Sequence, residues 1–213
     1  MKLFNRRLVL ISVITCATLF GTSISTFAAS ELTLTKDIEV NDINEIKLDA
    51  HVGTVKLSKS QDNFIHIYVK VSESDEWSLF KSSPDEAELA IKNDGKRIEV
   101  SLNNDEYNEE WQIEIPSSVH VDADLGVGEM IIEGISSNLS ADVGVGEIQI
   151  DGTANNYRAV TAQAGVGDAV IKSDAGQQEE VRALVSKQVS WSGEGSSTMD
   201  VEVGVGEASI KLN

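Results

Sequence analysis

Cysteine is nearly absent from this chain, proline is rare and positive charge is scarce. Cys16 is the single cysteine, and Pro84 and Pro116 are the two prolines. One cysteine excludes an internal disulfide. It sits in an apolar N-terminal stretch, where Val13-Ile14-Thr15 in front of it is a poor lipidation signal. Once residues 1–29 are removed, no thiol chemistry is left. Lys and Arg number 17 against 35 Asp and Glu, for a net charge of −18. Residues 1–29 hold Lys2, Arg6 and Arg7 and no acid, so the remainder carries −21. That excess argues against nucleic acid, whose phosphates need basic partners, and against anionic lipid. It fits a solvated acidic surface, a divalent cation or a cationic partner.

Long apolar runs and helical periodicity are also missing. Residues 8–20 are mostly apolar but too short to span a bilayer, and they follow a basic start. Thr26-Phe27-Ala28 supplies the small residues a signal peptidase reads, so residues 1–29 read as a cleaved export signal. The best candidate for a helix is 175–184, AGQQEEVRAL, as one or two turns.

What the chain has is a repeat. The stretch 122–134, DADLGVGEMIIEG, returns at 142–152, 163–172 and 202–211. The second glycines, Gly128, Gly146, Gly167 and Gly206, fall at intervals of 18, 21 and 39 residues. The last interval equals the first two together, which predicts a hidden copy at 181–193 with Ser186 in a glycine position. In each copy apolar residues alternate, then switch phase at the second glycine. Leu139, Ala141, Val143 and Val145 precede Gly146, and Ile148 and Ile150 follow it. Val127, Val166 and Val205 hold the place of Val145. Alternation puts residues on one face of a strand, so the phase switch marks a corner after which the chain still faces inward. This parity places the four valines inside.

A unit this short cannot bury its apolar face alone, but stacked copies can. The expected fold is all-β: a right-handed β-solenoid or β-helix-like stack of 18–21-residue repeats with an irregular β-rich N-terminal cap. The rival arrangement is one hairpin per repeat in a sandwich or open sheet. The cap is residues 30–116 and the repeats 117–213, forming one continuous domain 30–213. Within the cap, Ile46, Leu48, Ala50 and Val52, then Gly53, then Val55 and Leu57 show the same phase switch. Residues 64–71 and 111–115 read as strands. Residues 89–102 read as a hairpin turning at Asp94-Gly95. Trp77, Leu79 and Phe80 are expected to cover an open edge or end of the core.

The glycine-acid repeats, preceded by Ile113-Glu114-Ile115-Pro116, resemble the exported bacterial family named "putative adhesin" domains of unknown function, the DUF4097 type. The resemblance covers about residues 31–213. Members of that family usually read Gly-Ser-Gly-Asp where this chain has Gly126-Val127-Gly128-Glu129. The resemblance implies a right-handed β-solenoid-like fold and an envelope location, and no established activity.

Chemistry is sparse. His51, His66 and His120 lack metal-ligand spacing and nucleophile partners, and no Gly-x-Ser-x-Gly elbow is present. No catalytic or cofactor-binding residue is expected. Stacking would line up Glu129, Glu147, Asp168 and Glu207 on one edge, and Asp124, Asp142, Gln163 and Glu202 beside them. Such rows could attract calcium, although each turn offers one acid where calcium wants several oxygens. Gly126, Gly144, Gly165 and Gly204 fall at outward strand positions. Glycine there serves a bend, a bulge, or the approach of another chain or a glycan. The expected function is an exported, non-enzymatic envelope protein for surface recognition or scaffolding, with an unidentified protein or glycan partner. The alternatives are an enzyme on envelope polysaccharide, which needs an acid pair across a groove, and a sensory or regulatory module of an envelope-stress system.

Overall fold

The structure, a computed structural model, describes residues 31–73 and 83–213. The export signal at 1–29, Cys16, and the segment with Trp77, Leu79 and Phe80 lie outside the described residues. The described residues form strands β1 (Glu31–Glu39), β2 (Glu45–Lys59), β3 (Phe64–Glu73), β4 (Leu89–Asn93), β5 (Arg97–Leu102), β6 (Tyr107–Ile115), β7 (His120–Glu133), β8 (Leu139–Gly152), β9 (Tyr157–Ser173), β10 (Gln177–Arg182), β11 (Lys187–Ser192) and β12 (Ser197–Leu212). All twelve belong to one mixed sheet ordered β1-β3-β6-β2-β7-β8-β12-β9-β11-β10, with β5 beside β2 and β4 beside β5.

The middle of the sheet is a parallel, in-register stack of β2, β7, β8, β12 and β9. Each strand bends at one glycine. Gly53, Gly128, Gly146, Gly206 and Gly167 stand on one another in a column, with φ between 139 and 145°. Before the bend the inward rungs are Ile46–Val121–Leu139–Met199–Val160 and two like them; after it they include Val55–Met130–Ile148–Ala208–Ala169. Every residue in these rungs is buried, so both arms turn the same face to one core. The column admits only glycine. A Cβ on Gly146 would lie 1.8 Å from the carbonyl oxygen of Gly128, at a φ of +145° that L side chains avoid.

The copies do not stack in sequence order. β12 pairs in parallel with both β8 and β9, so the last copy lies between the second and third. No coil is hidden at 181–193. Residues 177–192 form the antiparallel hairpin β10–β11, and β11 pairs antiparallel with the first arm of β9. Val181 and Val185 are exposed there, while Val189 and Trp191 join the core from β11. Ser186 takes no part in the glycine column, and AGQQEEVRAL includes β10, a strand rather than a helix.

At the other end two separate strands take the place of one bent strand. β5 pairs with the first arm of β2 and β6 with the second. The β4–β5 hairpin turns at Asp94-Gly95 as expected, with Gly95 at φ 94°. Beyond β6, β3 and β1 add antiparallel strands. Gly53 does join the stack through β7, as its phase switch predicts.

Candidate functional site

The outward positions of the parallel stack form continuous rows, because every rung repeats its neighbour about 4.8 Å away. After the bend the row is Thr54–Glu129–Glu147–Glu207–Asp168; before it, Asp49–Asp124–Asp142–Glu202–Gln163. The acids named from the sequence therefore do line up. Burial holds the Asp142 carboxyl above its ordinary value, and the neighbouring Glu202 and Asp124 charges push the same way.

The chain neutralises these rows near their ends. Lys47 Nζ lies 2.7 Å from Asp124 and 3.6 Å from Asp122. At the other end Lys187 Nζ is 3.0 Å from Asp168 and 3.5 Å from Glu180, and Arg182 is 3.2 Å from Asp168. The Lys187 hydrogen bond holds Asp168 below its ordinary value. Among the described residues, Asp142, Glu147, Glu202 and Glu207 form no ion pair. Glu129 accepts a 3.4 Å hydrogen bond from Gln149 Nε2. The acids run in file, one per rung. Among the described residues no group of three or more His, Asp or Glu converges as a metal shell would.

Between the acid rows runs the bend itself. Val52, Val127, Val145, Val205 and Val166 stand in register along it, 42%, 47%, 48%, 48% and 50% exposed. This corrects the inward placement of Val127, Val145, Val166 and Val205, and of Val52, which shares their parity. The last inward residue of the first arm of β8 is Val143, and Val145 already lies on the turn. The neighbouring Gly126, Gly144, Gly204 and Gly165 are explained by close strand approach. A Cβ on any of them would come within 2.6–2.7 Å of the next strand's carbonyl oxygen.

The bend line ends on a constellation that no sequence motif announces. Glu109 of β6 pairs with Gly53 and so continues the glycine column. Its side chain is 1% exposed. One oxygen, Oε2, accepts the Trp111 indole N–H at 2.6 Å and the His51 backbone N–H at 3.4 Å. The other, Oε1, lies 3.6 Å from His51 Nδ1, and neither of those two atoms has a hydrogen-bond partner. Burial pushes the Glu109 carboxyl above its ordinary value, against the opposing pull of its hydrogen bonds. The sequence did carry a signal, since Glu109 shares the inward parity of Tyr107, Trp111 and Ile113.

The other histidines are peripheral. His66 is held between Asp37, 2.7 Å from Nδ1, and Asp62, 3.1 Å from Nε2, and the Asp37 hydrogen bond raises its basicity. His120 is exposed at the start of β7. On the outer face of the second arm, cavities of about 290 and 310 Å³ meet at Ile131 and Glu133. Their acids Glu114, Glu133 and Asp151 lie along one face of the sheet. They do not oppose each other across a groove, as glycoside cleavage requires.

The profile of the family described as the N-terminal domain of toast_rack, DUF2154, matches residues 26–172. A solved structure of a "putative cell adhesion protein" from Clostridium sporogenes is similar at 18% identity and a TM-score of 0.54. The similarity covers 86% of this chain and 100% of that one. A "putative adhesin" from Bacteroides fragilis is 11% identical over 84% of this chain and 97% of that one, at a TM-score of 0.27. No curated protein matches. The Clostridium likeness supports the fold alone. Among the described residues no helix is long and apolar enough to cross a membrane.

Proposed function

The chain belongs to the family described as the N-terminal domain of toast_rack, DUF2154, and from that premise we propose that it is an exported bacterial surface protein acting by recognition or scaffolding rather than by catalysis. Residues 1–29 are its export signal. Residues 30–213 are one continuous domain, an irregular cap (30–116) followed by a right-handed β-solenoid-like repeat region (117–213). A surface role is in keeping with the name of the Clostridium protein that shares the fold, a "putative cell adhesion protein". Kinship with the DUF4097-type adhesins is part of the same reading, and rests on the Gly-Val-Gly-acid repeats. The partner is a protein or glycan of the cell envelope.

One observation carries the reading: the stack repeats its outward residues from rung to rung, valine along the whole bend and an acid on both sides of it except at Thr54 and Gln163 on the end strands. A catalytic centre needs different groups converging on one point. A repeated surface suits an extended partner. The test is retention of the labelled, exported protein on isolated bacterial envelopes. Saturable retention that unlabelled protein displaces is the expected result. Retention no greater than that of the heat-unfolded chain would overturn the reading.

A further inference from the structure

We propose that the bend line is a docking surface for a cationic amphipathic peptide segment of another protein, whose apolar stripe lies along the five valines and whose Lys and Arg side chains reach the acid rows on either side. The proposal rests on the surface-recognition reading and adds the place and the chemistry of the partner.

The apolar half of the argument is the valine row. Val52, Val127, Val145, Val205 and Val166 are 42–50% exposed, although each is β-branched and apolar. Four steps of about 4.8 Å make the row about 19 Å long, the length of about three and a half turns of helix. Continuous apolar surface on a soluble protein marks a contact site more often than scattered residues do. The flanks are low. On one side stand Gly126, Gly144, Gly204 and Gly165, on the other the glycine column, so no flanking side chain walls off Val127, Val145, Val205 or Val166 from an approaching chain; only Val52, at the end of the row, has a side chain, His51, in the flanking position.

The charged half chooses the occupant. Acid rows run on both sides of the valines. The chain's own cations, Lys47 at one end and Lys187 with Arg182 at the other, show that ammonium and guanidinium groups seat against these rows. The middle rungs, with Asp142, Glu202, Glu147 and Glu207, have no such cation among the described residues. Crowding of like charge around Asp142 favours an incoming positive group. A second copy of this chain would bring matching acid rows against these and be repelled. A segment with basic flanks and an apolar centre complements both features at once.

The experiment titrates the exported protein with a synthetic leucine–lysine peptide that carries leucine on one helical face and lysine on the other. A scrambled peptide of the same composition and an oligolysine of equal length are the controls. The amphipathic peptide should bind, and the other two should bind at least about tenfold more weakly. The triple variant Val127→Thr, Val145→Thr, Val205→Thr keeps the β-branched shape and should lose about tenfold. Glu147→Gln with Glu207→Gln should weaken binding and flatten its salt dependence. Glu133→Gln with Asp151→Gln, away from the bend, should change neither. Should the threonine variant not fold, the Glu147 and Glu207 pair still decides. Equal binding of all three peptides, binding indifferent to the valines, or no binding would overturn the proposal. So would self-association of the wild type that the threonine variant abolishes. Envelope retention that survives in the threonine variant would overturn the docking line and leave surface recognition standing. Envelope retention absent in the wild type would sink the broader reading, with the peptide titration still deciding the bend line.

Discussion

Five strands in the middle of the sheet run parallel and in register, whereas the strands at both ends turn antiparallel. In the middle each residue stacks on its counterpart, so a demand made on one rung is made on all. Glycine at the bend, valine beside it and an acid after it recur for that reason. At the ends the demand lapses and unlike side chains enter. Glu109 continues the glycine column because β6 pairs only with the second arm of β2. His51 takes the place that Gly126, Gly144, Gly204 and Gly165 hold elsewhere, because no bent strand lies over it. At the far end Lys187 is buried beside Asp168. The outermost strands, β1 and β10, are largely exposed and charged, which protects the sheet from edge-to-edge pairing.

The hardest test of that contrast is an added methyl group. Gly146→Ala puts a Cβ 1.8 Å from a backbone oxygen in the middle of the stack. It should cost more than about 4 kcal/mol and leave the protein unfolded or molten by circular dichroism and thermal melting. Gly95→Ala also sits at positive φ, but in a hairpin turn with nothing within 4 Å of the new Cβ. It should cost only about 1 kcal/mol. Similar losses in the two variants would mean that φ, not stacking, reserves these positions for glycine.

Next in size is a charge placed on either side of the bend. Ile148→Asp buries an unpaired carboxylate at a fully buried position and should cost about 3–5 kcal/mol. Val145→Asp, three residues earlier and 48% exposed, should fold with a modest loss from repulsion by the acid rows. Chemical denaturation of the two variants checks this, and an unfolded Val145→Asp would place that valine inside after all.

Glu109→Gln tests the end of the column and should act in the opposite direction. The folded protein holds the Glu109 proton to higher pH than the unfolded chain does, because burial raises this carboxyl above 4.5. Its favourable contribution is therefore present below the ordinary carboxylate range and lost as pH rises through the raised value. A glutamine amide can donate to His51 Nδ1 and still accept from Trp111. The variant should be more stable than wild type at neutral pH by about 1 kcal/mol, and the gap should close on acidification. Denaturation midpoints across pH measure it, and a gap that widened toward acid would contradict the buried-carboxylate account.

The same contrast explains what the sequence disclosed. Bend glycines, the acid rows, the membership of Gly53 and the Asp94-Gly95 hairpin were legible because each is a local pattern or a repeated one. Alternation alone puts the valines inside because the apolar pattern runs on through Val145, whereas the turn begins after Val143. The interval of 39 residues matched a hidden copy only arithmetically, and a hairpin fills it. Stacking order is illegible for a deeper reason: rungs this similar announce a register but not which copy lies beside which. Contacts outside the repeats do distinguish the neighbours. Ser197 Oγ donates to the Ser136 carbonyl at 2.8 Å, and Asn138 Oδ1 accepts the Thr198 N–H at 2.9 Å, tying the start of β12 to the loop before β8. Glu109 was legible by parity but not by motif, since a buried carboxylate beside histidine and tryptophan has no fixed spacing.

The smallest expected effect concerns ions. If the middle rungs only concentrate negative charge, then calcium and magnesium at millimolar levels should raise Tm alike, by no more than about 3 °C, and added sodium salt should reproduce the rise. Glu147→Gln with Glu207→Gln should abolish most of it, because those acids lack the cations that Asp124 and Asp168 already have. A large rise specific to calcium, lost in the same variant, would mean that the file of single acids gathers enough oxygens for an ion. The uncapped middle would then be a metal site, and the contrast with its capped ends would be one of coordination rather than of charge.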